Sequence, residues 1–234
     1  DGTSLISGDQ SAATGLATVA ATATLGGTGI IGGGVDMSAG GTLAPGRGGA
    51  GALTILGGLT LSPGSTLAYE FGAANSVGNP LNDLVNVGGN LVLDGTINVS
   101  QTAGGLFDVG VYRVFNYGGT LVDNGLALGA LPAGSDVTVQ TSIAGQVNLV
   151  NSAGLALNFW DGAAGPKSNG TIDGGTGVWQ SGTGNDNWAN ASGTVNGSYS
   201  DGAFAVFGGT AGTVTVDDGL GQVTASGMQF TTGG

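Results

Sequence analysis

The sequence predicts an all-β chain wound as a parallel β-helix, a β-solenoid with roughly 20–25 residues per coil. Three observations predict it. The first is a repeated phrase: Gly40-Gly41-Thr42-Leu43, Gly64-Ser65-Thr66-Leu67, Gly88-Gly89-Asn90-Leu91 and Gly118-Gly119-Thr120-Leu121. Its leucines recur with a period of roughly 20–30 residues, the mark of units that bury their apolar faces only by stacking on neighbours. The second is strict apolar alternation in short runs, which places one set of side chains on one face of a strand. The third is composition. Gly supplies 52 of 234 residues, apolar residues make up 40% and charged residues 8%. So much glycine excludes long helices, because each interior Gly costs about 1 kcal/mol against Ala, while the apolar excess excludes a disordered linker.

Taken in order, residues 1–18 carry little pattern. Ser11–Thr24 is rich in Ala and Thr, and either a short helix or a strand fits it; the repeat style resumes at Leu25-Gly26-Gly27-Thr28-Gly29-Ile30. Alternation is clear from about residue 19 to 157: Leu53/Ile55, Leu59/Leu61, Leu67/Tyr69/Phe71, Leu91/Leu93, Ile97/Val99, Val137/Val139, Val147/Leu149 and Leu155/Leu157/Phe159. Gly, Asn, Asp or Pro separates the runs, and the Asp-Gly steps at Asp94, Asp161, Asp173, Asp201 and Asp218 are turn signals. Inward Leu, Ile and Val would stack coil on coil, each contributing roughly 1.5–3 kcal/mol when buried. The texture changes near Leu157. Residues 158–234 hold all three tryptophans, with strands expected at Ala203–Phe207, Val214–Val216 and Met228–Phe230. The expected organisation is β-helix coils over 1–157 and a Trp- and Asn-rich continuation of the solenoid over 158–234. Opening on Asp1 and stopping at Gly233-Gly234, the chain reads as an internal piece of a longer one.

These residues carry a resemblance. Leu25 to Gly32, then Gly40-Gly41-Thr42-Leu43-Ala44-Pro45-Gly46, then Leu53-Thr54-Ile55 and Leu59-Thr60-Leu61, resemble the passenger region of bacterial autotransporters with autotransporter-associated β-strand repeats. Thr42-Leu43-Ala44-Pro45-Gly46 is the most specific phrase. Asp83-Leu84-Val85-Asn86-Val87, Leu91-Val92-Leu93-Asp94-Gly95-Thr96-Ile97 and Val111-Tyr112-Arg113-Val114-Phe115 continue it, and Asn158 to Asp217 is similar to the module that follows in large members. The resemblance, over about residues 19–234, implies a right-handed β-helical passenger exported by the type V route through its own C-terminal β-barrel, to lie on the cell surface at the outer membrane. It implies an adhesin or aggregation factor, partnered by a host surface, an extracellular-matrix component or sister passengers.

The search for chemistry is mostly negative. No His and no Cys occur, so neither a Ser-His-Asp triad nor a thiolate nucleophile is available, and no enzyme is expected. Paired carboxylates such as Asp217 and Asp218 would suit glycoside cleavage, but adjacent strand residues face opposite ways and Gly219 follows, which reads as a turn. Fragments of a calcium-binding β-roll phrase occur at Asp173–Trp179 and Gly182–Trp188 without its nine-residue tandem. Gly27-Thr28-Gly29-Ile30-Ile31-Gly32 matches a phosphate loop only formally, since no helix follows. No metal, cofactor or catalytic residue is expected. A formal net charge of -12 from three basic and fifteen acidic residues argues against nucleic acid. The candidate surface-binding residues are Trp160, Trp179, Trp188 and Tyr199. Exposed in a row they would stack on sugar rings; turned inward they would stack on one another or cap a coil end. Three readings stay open: an adhesive or self-associating segment, a stalk or folding scaffold for a distal region, and a polysaccharide-acting β-helix.

Overall fold

The computed structural model describes residues 2–182 and 185–231. The chain ends at Asp1 and Gly233-Gly234, and the Thr183-Gly184 step of the second calcium-like fragment, lie outside them. Two compact units divide the chain: 1–108, 112–135 and 144–149 form the first, and 109–111, 136–143 and 150–234 the second.

The first unit is built coil by coil, three strands to a coil. β1 (Gly2–Ile6), β2 (Asp9–Gln10) and β3 (Ala17–Thr18) are followed by β4 (Ala23–Gly27), β5 (Ile30–Ile31) and β6 (Val35–Asp36). Next come β7 (Gly41–Pro45), β8 (Ala52–Ile55) and β9 (Leu59–Thr60), then β10 (Ser65–Phe71), β11 (Leu84–Val87) and β12 (Leu91–Leu93). A fifth coil holds β13 (Thr96–Gln101), β14 (Gly110–Tyr117) and β15 (Leu121–Asp123), and β16 (Ala127–Leu128) begins another. Each strand pairs in parallel with its counterparts one coil away. The three resulting sheets run β1-β4-β7-β10-β13-β16, β2-β5-β8-β11-β14 and β3-β6-β9-β12-β15. This is the parallel β-helix that the alternation predicts. Ser11–Thr24 takes the extended alternative, as β3 and the start of β4.

Period two decides what goes inside. In β10, Ser65, Leu67, Tyr69 and Phe71 are buried while Thr66, Ala68 and Glu70 face outward. Leu43, Leu53, Ile55, Leu67, Leu91, Leu93 and Ile97 are all fully buried. Tyr69, Phe71, Phe107, Tyr112 and Phe115 add an aromatic run, with ring centroids 4.5–6.3 Å apart.

Coil length varies more than the expected roughly 20–25 residues. The register partners Thr24↔Thr42 mark the shortest coil, and Thr66↔Thr96 and Thr96↔Ala127 mark the two longest, which exceed that range. The extra length sits at one corner, between the first and second sheets, where residues 72–83 and 102–109 loop out. Buried Asn82 holds the longer loop: its Oδ1 accepts from Gly72 and Ala73 N–H, and its Nδ2 donates to Ala73 and Ser76 carbonyls.

The insertion also resolves the repeated phrase into two. Leu43 pairs with Leu67 in the first sheet, but Leu91 pairs with Leu59 and Leu121 in the third. At the corner entering the third sheet, glycine pairs stack through Gly57 N–H to Gly33 O, Gly89 N–H to Gly57 O and Gly119 N–H to Gly89 O, at 2.9–3.1 Å. A Cβ on Gly89 would lie 2.9 Å from Gly58 N, so backbones approach too closely for a side chain.

The remaining strands are β17 (Val137–Gln140), β18 (Gln146–Asn151), β19 (Phe159–Trp160), β20 (Gly177–Gln180), β21 (Trp188–Ala189), β22 (Asn196–Gly197), β23 (Phe204–Phe207), β24 (Val214–Asp217) and β25 (Gly227–Phe230). In the second unit β19-β23-β25 and β20-β24 pair in parallel, while β19-β21 and β21-β22 pair antiparallel. The last three predicted strands match β23, β24 and β25 to within a residue. Asp217 ends β24 by capping a 3-10 turn, Asp218–Leu220; its carboxylate accepts from Gly219 N–H at 2.9 Å and from the Gln180 amide at 2.7 Å.

Candidate functional site

The four aromatic residues singled out from the sequence do come together, but inside the second unit. Trp160, Trp179, Trp188 and Tyr199 are 2%, 4%, 0% and 4% exposed. Trp188 lies 5.2 Å from Trp160, 4.9 Å from Trp179, 4.5 Å from Tyr199 and 5.5 Å from Phe207, ring centroid to centroid. Of the two arrangements left open by the sequence, the structure has the inward stack, so these four rings are not a surface-binding row. The physical reason is area: in pairs such as Val178-Trp179 one side chain must face the core, and the larger ring gains more by burial. Trp160 Nε1 donates to Gly175 O at 2.8 Å and Tyr199 Oη to Ala203 O at 2.7 Å.

Beside that core lies a buried polar knot. Asp161 accepts from Asp173 N–H and from the Asn196 amide, both at 2.8 Å. Lys167 Nζ donates to the Asp161 and Gly162 carbonyls and to Asn187 Oδ1. Asp173, in the calcium-like fragment, thus serves this internal network. Among the described residues no cluster of three acidic groups is placed to hold a metal ion.

The outer sheet faces of the first unit carry ordered rows of side chains. The first sheet carries a threonine in register on five successive strands: Thr3, Thr24, Thr42, Thr66 and Thr96. Beside it runs a row of mostly small residues, with Leu5, Gly26 and Ala44 in register and Ala68 opposite Asn98. On the second sheet, Arg113 binds Asn148 Oδ1 at 2.6 Å, Gln146 Oε1 at 2.5 Å and Asn116 Oδ1 at 2.5 Å, and the Asn116 amide donates to Asn86 at 2.8 Å. That ladder is satisfied internally.

The first sheet's outer face holds a groove of about 520 Å³. Thr24, Ala44, Ala68 and Asn98 line its floor, and the turn bearing Arg47 and the Glu70 side chain border it. Sequence reasoning missed this site because its parts come from at least five successive coils. One residue organises it. Asp83, only 1% exposed, receives Gly51 N–H on Oδ1 and Glu70 N–H on Oδ2, both at 2.7 Å, and so ties two coils together. Burial pushes its carboxyl up to about 7; the two N–H donors pull it down, and neighbouring Glu70 adds to the rise.

Glycine corners, interior aromatics and polar outer rows define the class of the first unit, a parallel β-helix. Over its whole length the chain is 58% identical to part of the adhesin BmaC autotransporter of Brucella suis biovar 1 (strain 1330). It spans 7% of that relative's length. No family model and no solved structure matches the chain. Fold and likeness together make the chain similar, over its whole length, to a segment of that autotransporter.

Proposed function

We propose that the chain is an adhesive segment of its passenger. It contributes length and an outward, weakly charged polar surface that meets a host surface, an extracellular-matrix component or a sister passenger. The observation that carries this reading is the likeness of the whole chain to part of an autotransporter named as an adhesin. The rows of Thr, Asn and small residues on the first sheet support it, because they offer hydroxyl, amide and methyl groups over five strands spaced about 4.8 Å apart. The segment works by binding and not by catalysis. Lack of any His or Cys removes the usual nucleophile–base pairs. The parent chain's β-barrel is its partner in export, and residues 158–234 act as a continuation of the scaffold.

The test compares bacteria displaying the complete autotransporter with bacteria displaying one lacking this segment, at matched surface density. Adhesion or clumping is expected to fall. Equal adhesion would overturn the reading in favour of a stalk, and so would full activity after grafting a solenoid of equal length in its place.

A further inference from the structure

We infer that the groove on the outer face of the first sheet, beneath the Arg47 turn, is a binding site for a carboxylate-bearing glycan of the uronic- or sialic-acid type, which deepens the adhesive reading above and rests on it.

The chain has three cations. Arg113 is consumed by Asn148, Gln146 and Asn116, and Lys167 by two carbonyls and Asn187. Arg47 is exposed at the groove and is the cation left to meet a ligand among the described residues. A guanidinium binds a carboxylate through two parallel N–H···O bonds, which fixes orientation as well as charge.

The turn that carries Arg47 is pinned at both ends. Gly46 exchanges backbone hydrogen bonds with Gly27 at 2.9 and 3.0 Å, and Gly51 N–H is held by Asp83. Between them, Gly46 at φ 87° packs so closely that a Cβ would lie 2.1 Å from Gly49 O. The backbone of the turn is thus held before binding, so only the Arg47 side chain has freedom left to lose.

The floor selects the rest of the ligand. It is a sheet face, so its backbone donors and acceptors are spent in the parallel ladders. An extended peptide would find no edge to add to and would leave its own main chain unpaired. A sugar ring presents C–H patches and hydroxyls instead. The methyls of Ala44 and Ala68 suit the first, and Thr24, Asn98, Ser100 and the Glu70 carboxylate suit the second. Glu70 also opposes densely charged polyanions, which favours a sugar with a single carboxylate near Arg47. From β1 to β13 the groove crosses five strands, about 19 Å at the usual spacing, long enough for an oligosaccharide.

The test uses the 234-residue chain in titrations monitored by NMR and calorimetry. The probes are a glucuronic-acid-containing oligosaccharide, sialyl-lactose and lactose. Saturable binding of one acidic probe is expected, with shifts at Ala44, Ala68 and Asn98 and at least tenfold weaker binding of lactose. Arg47→Ala should weaken the acidic probe at least tenfold at unchanged far-UV circular dichroism, and Arg47→Lys should recover part of it. Which acidic probe binds separates the two sugar types. Equal binding of lactose, shifts outside the groove, or affinity unchanged in Arg47→Ala would overturn the proposal, as would concentration-dependent dimerisation lost in Arg47→Ala without glycan binding. Beads coated with the chain, applied to host cells, read the adhesive function separately. Adhering beads with no glycan binding would sink the ligand and leave the adhesin; beads that fail to adhere would sink the adhesin.

Discussion

Asp83→Asn gives a quantitative test of how the coils are tied together. The Asp83 carboxyl rises from an ordinary 3.8 to about 7 in the folded chain. Burial is the main cause, and the groups facing it are Glu70 and the phenol of Tyr69, itself pushed well up by burial. The folded state therefore holds this proton more tightly than the unfolded chain. Its contribution to stability is fully present below about pH 4 and is lost as the pH rises through about 7. The whole displacement corresponds to about 4 kcal/mol, of which about 3 kcal/mol falls between pH 5 and pH 8.

Asn keeps one acceptor for the two N–H donors and does not titrate. It should destabilise the chain at pH 5 by losing a buried hydrogen bond, about 1–3 kcal/mol, and it should also remove the pH-dependent part. The stability of the wild-type chain minus that of Asp83→Asn should thus be about 3 kcal/mol more positive at pH 5 than at pH 8. Guanidinium unfolding followed by far-UV circular dichroism at the two pH values reads it directly. Asp9, Asp36 and Asp217, whose carboxyls are lowered by hydrogen bonds from turn N–H groups, act in the opposite sense, but their window lies below 3.8. A difference that stays constant from pH 5 to pH 8 would refute the reasoning, because it would mean that Asp83 titrates no differently in the fold.

Three further outcomes follow from packing. Trp188→Ala removes the ring that touches Trp160, Trp179, Tyr199 and Phe207 and should cost about 3–5 kcal/mol, read as an early unfolding step in tryptophan fluorescence; the three indoles of the native chain should resist acrylamide quenching. Leu91→Asp puts a carboxylate at a fully buried position between Leu59 and Leu121 and should unfold at least the neighbouring coils, so an unchanged melting temperature would contradict the inward assignment. Gly27→Ala combines φ 108° with a Cβ only 2.0 Å from Ile6 O and should lower stability by at least about 2 kcal/mol, whereas Gly15→Ala, with open space around it, should change little.

The fold was legible in the sequence because both of its signals are local. Leu67, Tyr69 and Phe71 alternate within one strand, and that alone fixes which faces are buried. The phase of the repeat was not local. Gly64-Ser65-Thr66-Leu67 and Gly88-Gly89-Asn90-Leu91 look alike and are consecutive copies of the phrase, yet they belong to different sheets. A glycine turn followed by an inward leucine serves either corner of a coil, and a loop of variable length, such as residues 72–83, shifts which corner comes next. Only pairing across coils separates the two.

The side to which the aromatic rings turn is likewise not local. Four large aromatics between Trp160 and Tyr199 announce that aromatic surface is gathered in one place, but the side to which it turns depends on partners such as Phe207, contributed by another strand. Burial also removes those rings from the surface, and the groove proposed above is built from residues that sequence patterns rate as neutral. Arg47 carries no signal of its own in a Gly-rich turn, and Asp83 reads as one more acid before a strand. Their relation becomes visible only when the helical winding brings Gly51, Glu70 and Asp83 to one point. In a solenoid the core repeats and is therefore predictable, whereas the specific surface arises where coils depart from the repeat. The longest departures, after β10 and β13, follow directly on Glu70 and Ser100, so the irregular corner borders one end of the groove.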